Sequence, residues 1–104
     1  MEKLLEKALS RIIAYCDPEQ VILFGSYAKG SYRPGSDIDL LVIGDFRQSR
    51  YLRGRQLRDI LREFPVKMDI HLLSPREVEI EQGKRHSFIR TMEDHRKILY
   101  QKKP

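Results

Sequence analysis

Leu4, Leu5, Ala8, Leu9, Ile12 and Ile13 recur at helical spacing near the start of the chain. This pattern predicts an amphipathic helix of about four turns. It should stop before Asp17-Pro18, because the residue preceding a proline disfavours the helical region. "QVILFG" then reads as a short buried strand ending at Gly25. "SYAKGS" has room for no more than a turn or two of helix. "RPGS" is a turn, with Pro34 presetting φ and Gly35 free to take φ above zero. "DIDLLVIG" is a second strand. Leu52, Leu57, Ile60, Leu61 and Phe64 mark one face of a long helix over 48–64. "VKMDIHLL" is a third strand. "SPRE" at 74–77 is a capping box with Pro75 at the first helical position, and its helix should run to Gly83. A further helix over 85–94 and a short last strand, "KILY", complete the chain.

The order α-β-α-β-α-β-α, closed by that last strand, predicts an α/β (α+β) class: one small sheet with helices packed on it. At 104 residues, residues 1–104 are expected to form a single domain. No repeat, low-complexity segment or linker interrupts it. The longest apolar runs, "VILF" and "LLVI", are far too short to cross a membrane. The start lacks the basic, apolar, small-residue order of a signal peptide. With one cysteine, Cys16, there is no internal disulfide framework, and the reducing cytoplasm is the expected location. A net charge of +5 suits phosphate-bearing or acidic partners without choosing among them.

The candidate chemistry lies in "GSYAKGSYRPGSDID", residues 25–39. Alternate strand side chains share a face, so Asp37 and Asp39 project together, about 7 Å apart at the backbone. Ile38, Leu40 and Val42 take the opposite face, which must be core. Two carboxylates this close repel one another unless a cation sits between them. Hard ions such as Mg²⁺ take carboxylate oxygens and keep substrate phosphates as further ligands. A two-ion clamp on a phosphoryl centre is therefore a fitting use for the pair. Gly25-Ser26 lies where a strand gives way to a helix start, whose free N–H groups favour anions. The stretch is neither a Walker loop nor a dinucleotide G-x-G-x-x-G pattern. Downstream, Asp69 stands inside an otherwise apolar strand and calls for a partner or a metal. If strand three lies beside strand two, Asp69 joins the first two carboxylates.

"GSYAKGSYRPGSDIDLLV" followed by "VKMDIHLL" resembles the DNA polymerase β-type nucleotidyltransferase superfamily. In particular it resembles the minimal nucleotidyltransferases encoded beside HEPN-domain proteins in toxin–antitoxin pairs. The family pattern is Gly-Ser, ten residues, Asp-x-Asp, matched here by Gly25-Ser26, residues 27–36 and Asp37-Ile38-Asp39. Its third carboxylate matches Asp69. Lys29 stands where arginine is frequent.

The resemblance implies the nucleotidyltransferase fold with a mixed sheet. It implies nucleotide binding by Gly25, Ser26, Lys29 and Ser36, and binding of two Mg²⁺ ions by Asp37, Asp39 and Asp69. ATP would be the substrate. An acceptor hydroxyl would attack the α-phosphate, aided by Asp69, and pyrophosphate would leave. Only 35 residues follow Asp69 (104 − 69), so the acceptor is expected in trans. By the resemblance it is a tyrosine of a HEPN toxin. An alternative is an antitoxin with a vestigial site, neutralising its partner by binding alone.

Plainer readings stand beside these. Lys29 and Arg33 either neutralise phosphate or are solvated turn residues. Tyr27 and Tyr32 are read as packing for a short helix. His71 shares parity with Asp69 and reads as a hydrogen-bonded histidine beyond the site, and His86 and His95 as surface. Arg47, Arg50, Arg53, Arg55, Arg58 and Arg62 face one acid, Asp59, in the same stretch. They read as the wet face of a helix, with a partner-protein contact open. Nucleic acid is disfavoured, because a single aromatic residue, Tyr51, interleaves with them, too few for a stacking platform.

Overall fold

The computed structural model describes residues 2–25, 38–47, 53–84 and 96–103. Residues 26–37, with the expected short helix of "SYAKGS" and the expected turn of "RPGS", the segment 48–52 and the expected helix over 85–94 lie outside the described residues. So do Ser26, Tyr27, Lys29, Tyr32, Arg33, Ser36, Asp37, Arg50, His86 and His95.

Helix α1 spans Glu2–Cys16 and gives way to Asp17, at φ 45°, and a buried Pro18. Strand β1 spans Gln20–Phe24 and β2 spans Ile38–Ile43. Helix α2 is Arg55–Leu61, β3 is Met68–Leu73, α3 is Pro75–Gly83 and β4 is Arg96–Gln101. The four strands form one mixed sheet in the order β3-β2-β1-β4. β1 is antiparallel to both β2 and β4, and β2 runs parallel to β3. The parallel pair needs a crossover, and α2 supplies it.

Central β2 is apolar because it is covered on both faces. Ile38, Leu40 and Val42 join Val21, Leu23, Ala8, Ile12, Leu57, Leu61 and Phe64 in the larger core. This is the face the strand parity assigned to burial. The other face is not simply open. Leu41 and Ile43 pack with Ile22, Phe24 and Leu73 in a second, smaller cluster, against which Val78 of α3 rests. Fully burying side chains of this size contributes about 1.5–3 kcal/mol each, so β2 is the strand least able to tolerate polar replacement.

The long helix expected over 48–64 is much shorter where described. α2 begins at residue 55, because Gly54 has φ 91° and cannot continue a right-handed helix. A β-carbon on Gly54 would also lie 2.8 Å from Leu72 Cδ1, so a side chain there would have to shift the end of Leu72. At the other end the Arg62 N–H bonds to Asp59 O at 3.3 Å, a tightened last turn. Phe64 is buried although it lies beyond the helix.

Arg11 ties α1 to α2. It donates to Ile60 O at 3.3 Å, pairs with Glu63 and lies over the Phe64 ring, 4.9 Å from its centroid. The expected capping box is present. The Glu77 N–H donates to Ser74 Oγ at 3.2 Å, and the Ser74 N–H donates to Glu77 Oε1 at 2.8 Å. No helix among the described residues is long and apolar enough to cross a membrane.

Candidate active site

The ladder between β2 and β3 sets Asp39 directly opposite Asp69. Facing residues on neighbouring strands project to the same side, and the strands lie about 4.8 Å apart. Two carboxylates thus share one face on adjacent strands, and both are half-buried. Asp39 also faces Phe24 on its other side, across the β1–β2 ladder.

Gly25 follows Phe24 at the end of β1, with φ 78°. The Asp39 carboxylate sits against it: a β-carbon on Gly25 would lie 2.7 Å from Oδ2. Glycine is needed here for two reasons, its left-handed backbone and the space that Asp39 takes. The sequence pointed at Gly25 only to free N–H groups that favour anions and to nucleotide binding.

Asp37 falls outside the described residues. Among those described, no three of His, Cys, Asp and Glu converge as a ligand set. The two carboxylates in register fit one divalent ion well, as hard oxygen donors whose mutual repulsion a cation between them would relieve. His71 takes the same face two residues along β3, in register with Leu41.

The arginine set divides. Arg47, Arg55, Arg58 and Arg62 are exposed, as expected of a wet face. Arg53 is not: only 8% of it is accessible. It donates to Leu72 O at 3.1 Å and to Glu77 Oε1 at 2.5 Å, and lies 5.5 Å from the centroid of the Phe46 ring. This one side chain links the outer edge of β3, the start of α3 and the loop after β2. Its carbonyl and carboxylate partners arrive from distant segments, so charge counting along the chain could not single it out. Glu77 is held below its ordinary carboxylate range. Burial alone would raise it, but hydrogen bonds from Arg53 and Ser74 outweigh that effect.

Comparison with known proteins bears on what this arrangement belongs to. The sequence pattern of the nucleotidyltransferase domain matches residues 2–99. The chain belongs to the nucleotidyltransferase domain family. It is 36% identical over 91 residues to a Methanocaldococcus jannaschii protein provisionally named protein adenylyltransferase MJ1305, covering 77% of this chain and 62% of that one. A second protein of that organism, MJ0604, with the same provisional function in its name, is 59% identical over 27 residues. That stretch covers 26% of this chain and 27% of MJ0604. The chain therefore spans less than two thirds of the length of these curated relatives.

Among solved structures, a provisionally named nucleotidyltransferase from Sulfolobus solfataricus superposes with a TM-score of 0.66 at 21% identity. The match covers 98% of this chain and 81% of that one. A toxin–antitoxin structure solved with AMP-PNP superposes with a TM-score of 0.53, also at 21% identity, over 94% of this chain and 74% of that one. At that identity these two likenesses speak for the fold, a nucleotidyltransferase fold with a mixed sheet, as the sequence led one to expect.

Proposed function

We propose that this chain is a minimal nucleotidyltransferase that moves AMP from ATP to a hydroxyl group of a partner protein. The observation that carries the reading is the register match of Asp39 with Asp69, with Gly25 cleared to admit the Asp39 carboxylate. The provisional names of the M. jannaschii relatives support protein adenylylation. The toxin–antitoxin relative with AMP-PNP supports an adenine nucleotide and a partner of that kind. On this reading the partner is a HEPN toxin and its acceptor is a tyrosine, and the chain acts as the antitoxin in the cytoplasm.

Asp37, Asp39 and Asp69 would hold Mg²⁺. Bound there, the ion would neutralise charge on the phosphates and on the attacking oxygen. The residues of the chain do the rest. Gly25 and Ser26 receive the triphosphate at the end of β1. Asp69 orients the acceptor hydroxyl and draws its proton. The hydroxyl oxygen bonds to the α-phosphorus, the bond from that phosphorus to the bridging oxygen breaks, and pyrophosphate carries away the electron pair. Such catalysis rests on positioning and charge stabilisation.

The test uses labelled ATP, Mg²⁺, the purified chain and a HEPN-domain protein as the proposed partner. Label should reach the partner, and Asp39→Asn should abolish the transfer. Absence of transfer, with protection of cells still intact in Asp37→Ala/Asp39→Ala, would replace catalysis by neutralisation through binding alone.

A further inference from the structure

The two carboxylates belong to a row that crosses the whole sheet. β4 pairs with β1 so that Arg96 faces Phe24, Phe24 faces Asp39, and Asp39 faces Asp69. Residues facing one another across a ladder project to the same side. The row therefore reads Arg96, Phe24, Asp39, Asp69 on one face.

The assignment of Arg96 to this face is independently checked by its neighbours. Ile98, two residues on, faces Ile22, which packs in the smaller core on the carboxylate side. Leu99, of the opposite parity, packs against the larger core on the far side. Arg96 is exposed, and it has no ion pair among the described residues.

We propose that Arg96 anchors the distal phosphates of the nucleotide and stabilises the pyrophosphate as it leaves. This rests on the nucleotidyltransferase reading. The direction follows from the strand order. Asp69 is on the edge strand, so the acceptor approaches from the β3 side. Gly25 and the end of β1 lie on the other side of Asp39. A triphosphate whose α-phosphate sits at the carboxylates runs its remaining phosphates toward β1, and beyond β1 lies β4. Arg96 stands about 10 Å from Asp39 at the backbone, two strand spacings away. Phe24 between them is buried, so the phosphates would reach Arg96 around the end of β1 at Gly25 and not across the ring. Arginine's planar fork matches a phosphate in bidentate fashion, and its charge is permanent. As the phosphorus–oxygen bond breaks, negative charge grows on the departing group, and a fixed cation at that end opposes its build-up.

The experiment is a calorimetric titration of ATP, ADP and AMP in Mg²⁺ buffer into the wild-type chain, Arg96→Ala and Arg96→Lys, with thermal melts of each. ATP should bind Arg96→Ala about tenfold more weakly. AMP, which lacks the distal phosphates, should bind both alike. Arg96→Lys should recover part of the ATP affinity, and this variant keeps the test open should the alanine variant misfold. Equal ATP affinity in wild type and Arg96→Ala, or an equal loss for AMP, would overturn the assignment. If label transfer still depends on Asp39 in that event, the nucleotidyltransferase reading stands without Arg96. A wild-type chain that binds none of the three nucleotides would overturn both.

Discussion

The carboxylate of Asp39 fills the space that a side chain on Gly25 would need, with Oδ2 only 2.7 Å from the position of its β-carbon. Gly25→Ala should therefore act twice. The left-handed backbone costs a non-glycine residue about 1–2 kcal/mol, and the clash must displace the Asp39 carboxylate from the place it holds between Gly25 and Asp69. Expected are a lower melting temperature and a loss of transfer of tenfold or more. A double-mutant cycle separates the two effects. In an Asp39→Ala background the alanine at position 25 should cost less, since only the backbone term remains. Equal costs in both backgrounds would show that the carboxylate does not press on Gly25.

Asp39→Asn and Asp69→Asn should each lower transfer by about a hundredfold or more, as removal of a charge-positioning group at a reacting centre does. Stability should move the other way. Like charges facing each other across a ladder destabilise by about 0.2–1 kcal/mol, so Asp69→Asn should melt at the same or a higher temperature in metal-free buffer. Added Mg²⁺ should then raise the melting temperature of the wild type more than that of either variant. A thermal melt with and without Mg²⁺ reads both effects.

Arg53 is placed to be the costliest arginine of its stretch. Removing one partner of a buried ion pair typically costs about 3–5 kcal/mol. Glu77 retains 24% side-chain accessibility, so the lower end of that range applies to Arg53→Met. Arg58→Met, on the exposed side of α2, should be nearly neutral. The pair also sets an acid limb. The folded-state value of Glu77 is depressed below its ordinary 4.5. Its contribution is thus present above the unfolded value and lost as pH falls through the folded one. Urea melts of the wild type should weaken as pH drops below about 4.5, and Arg53→Met should flatten that part of the profile.

Cys16 should be a poor nucleophile. Burial pushes its thiol up to about 11 from an ordinary 9.0. At neutral pH almost no thiolate is present, and the thiolate is the reactive form. Iodoacetamide should label the native chain slowly and the urea-unfolded chain at the rate of a free cysteine. Between pH 9 and 11 the unfolded chain gives up this proton before the folded one does, so stability should fall as pH rises through that window. Cys16→Ala should remove that part of the fall.

Much of this was legible in the chain itself. The alternation in "DIDLLV" separates Asp39 from Ile38, Leu40 and Val42, and the ladders agree. Asp69 stood out because a carboxylate in an apolar strand needs a reason. What parity could not convey was depth. Leu41 and Ile43 share the carboxylate side yet are buried, because Ile22, Phe24, Leu73 and Val78 cover that end of the sheet. The overlong helix came from counting apolar spacing through Gly54, whose left-handed backbone breaks a right-handed helix. Arg53 and Arg96 acquire meaning only when β3 and β4 take their places at the two edges of the sheet. Strand order is a long-range outcome, and no local pattern encodes it.

The pairing of β4 with β1 has an irregularity between Val21 and Ile22: Tyr100 faces Val21, whereas Ile98 faces Ile22. Leu99 is the extra residue. Arg96 and Tyr100 are both even-numbered and would share a face in a regular strand, yet Tyr100 packs with the larger core and Arg96 does not. The bulge works as a half-period phase change written into six residues. Deleting Leu99 would leave Arg96, Lys97, Ile98, Tyr100 and Gln101 opposite Phe24, Leu23, Ile22, Val21 and Gln20 in regular register, so Arg96 and Tyr100 would keep their faces and only the packing of Leu99 would be lost. A single-residue deletion at Lys97 would instead turn Arg96 to the other face while the residues beyond it keep their pairing, leaving the fold intact and silencing a site two strands away.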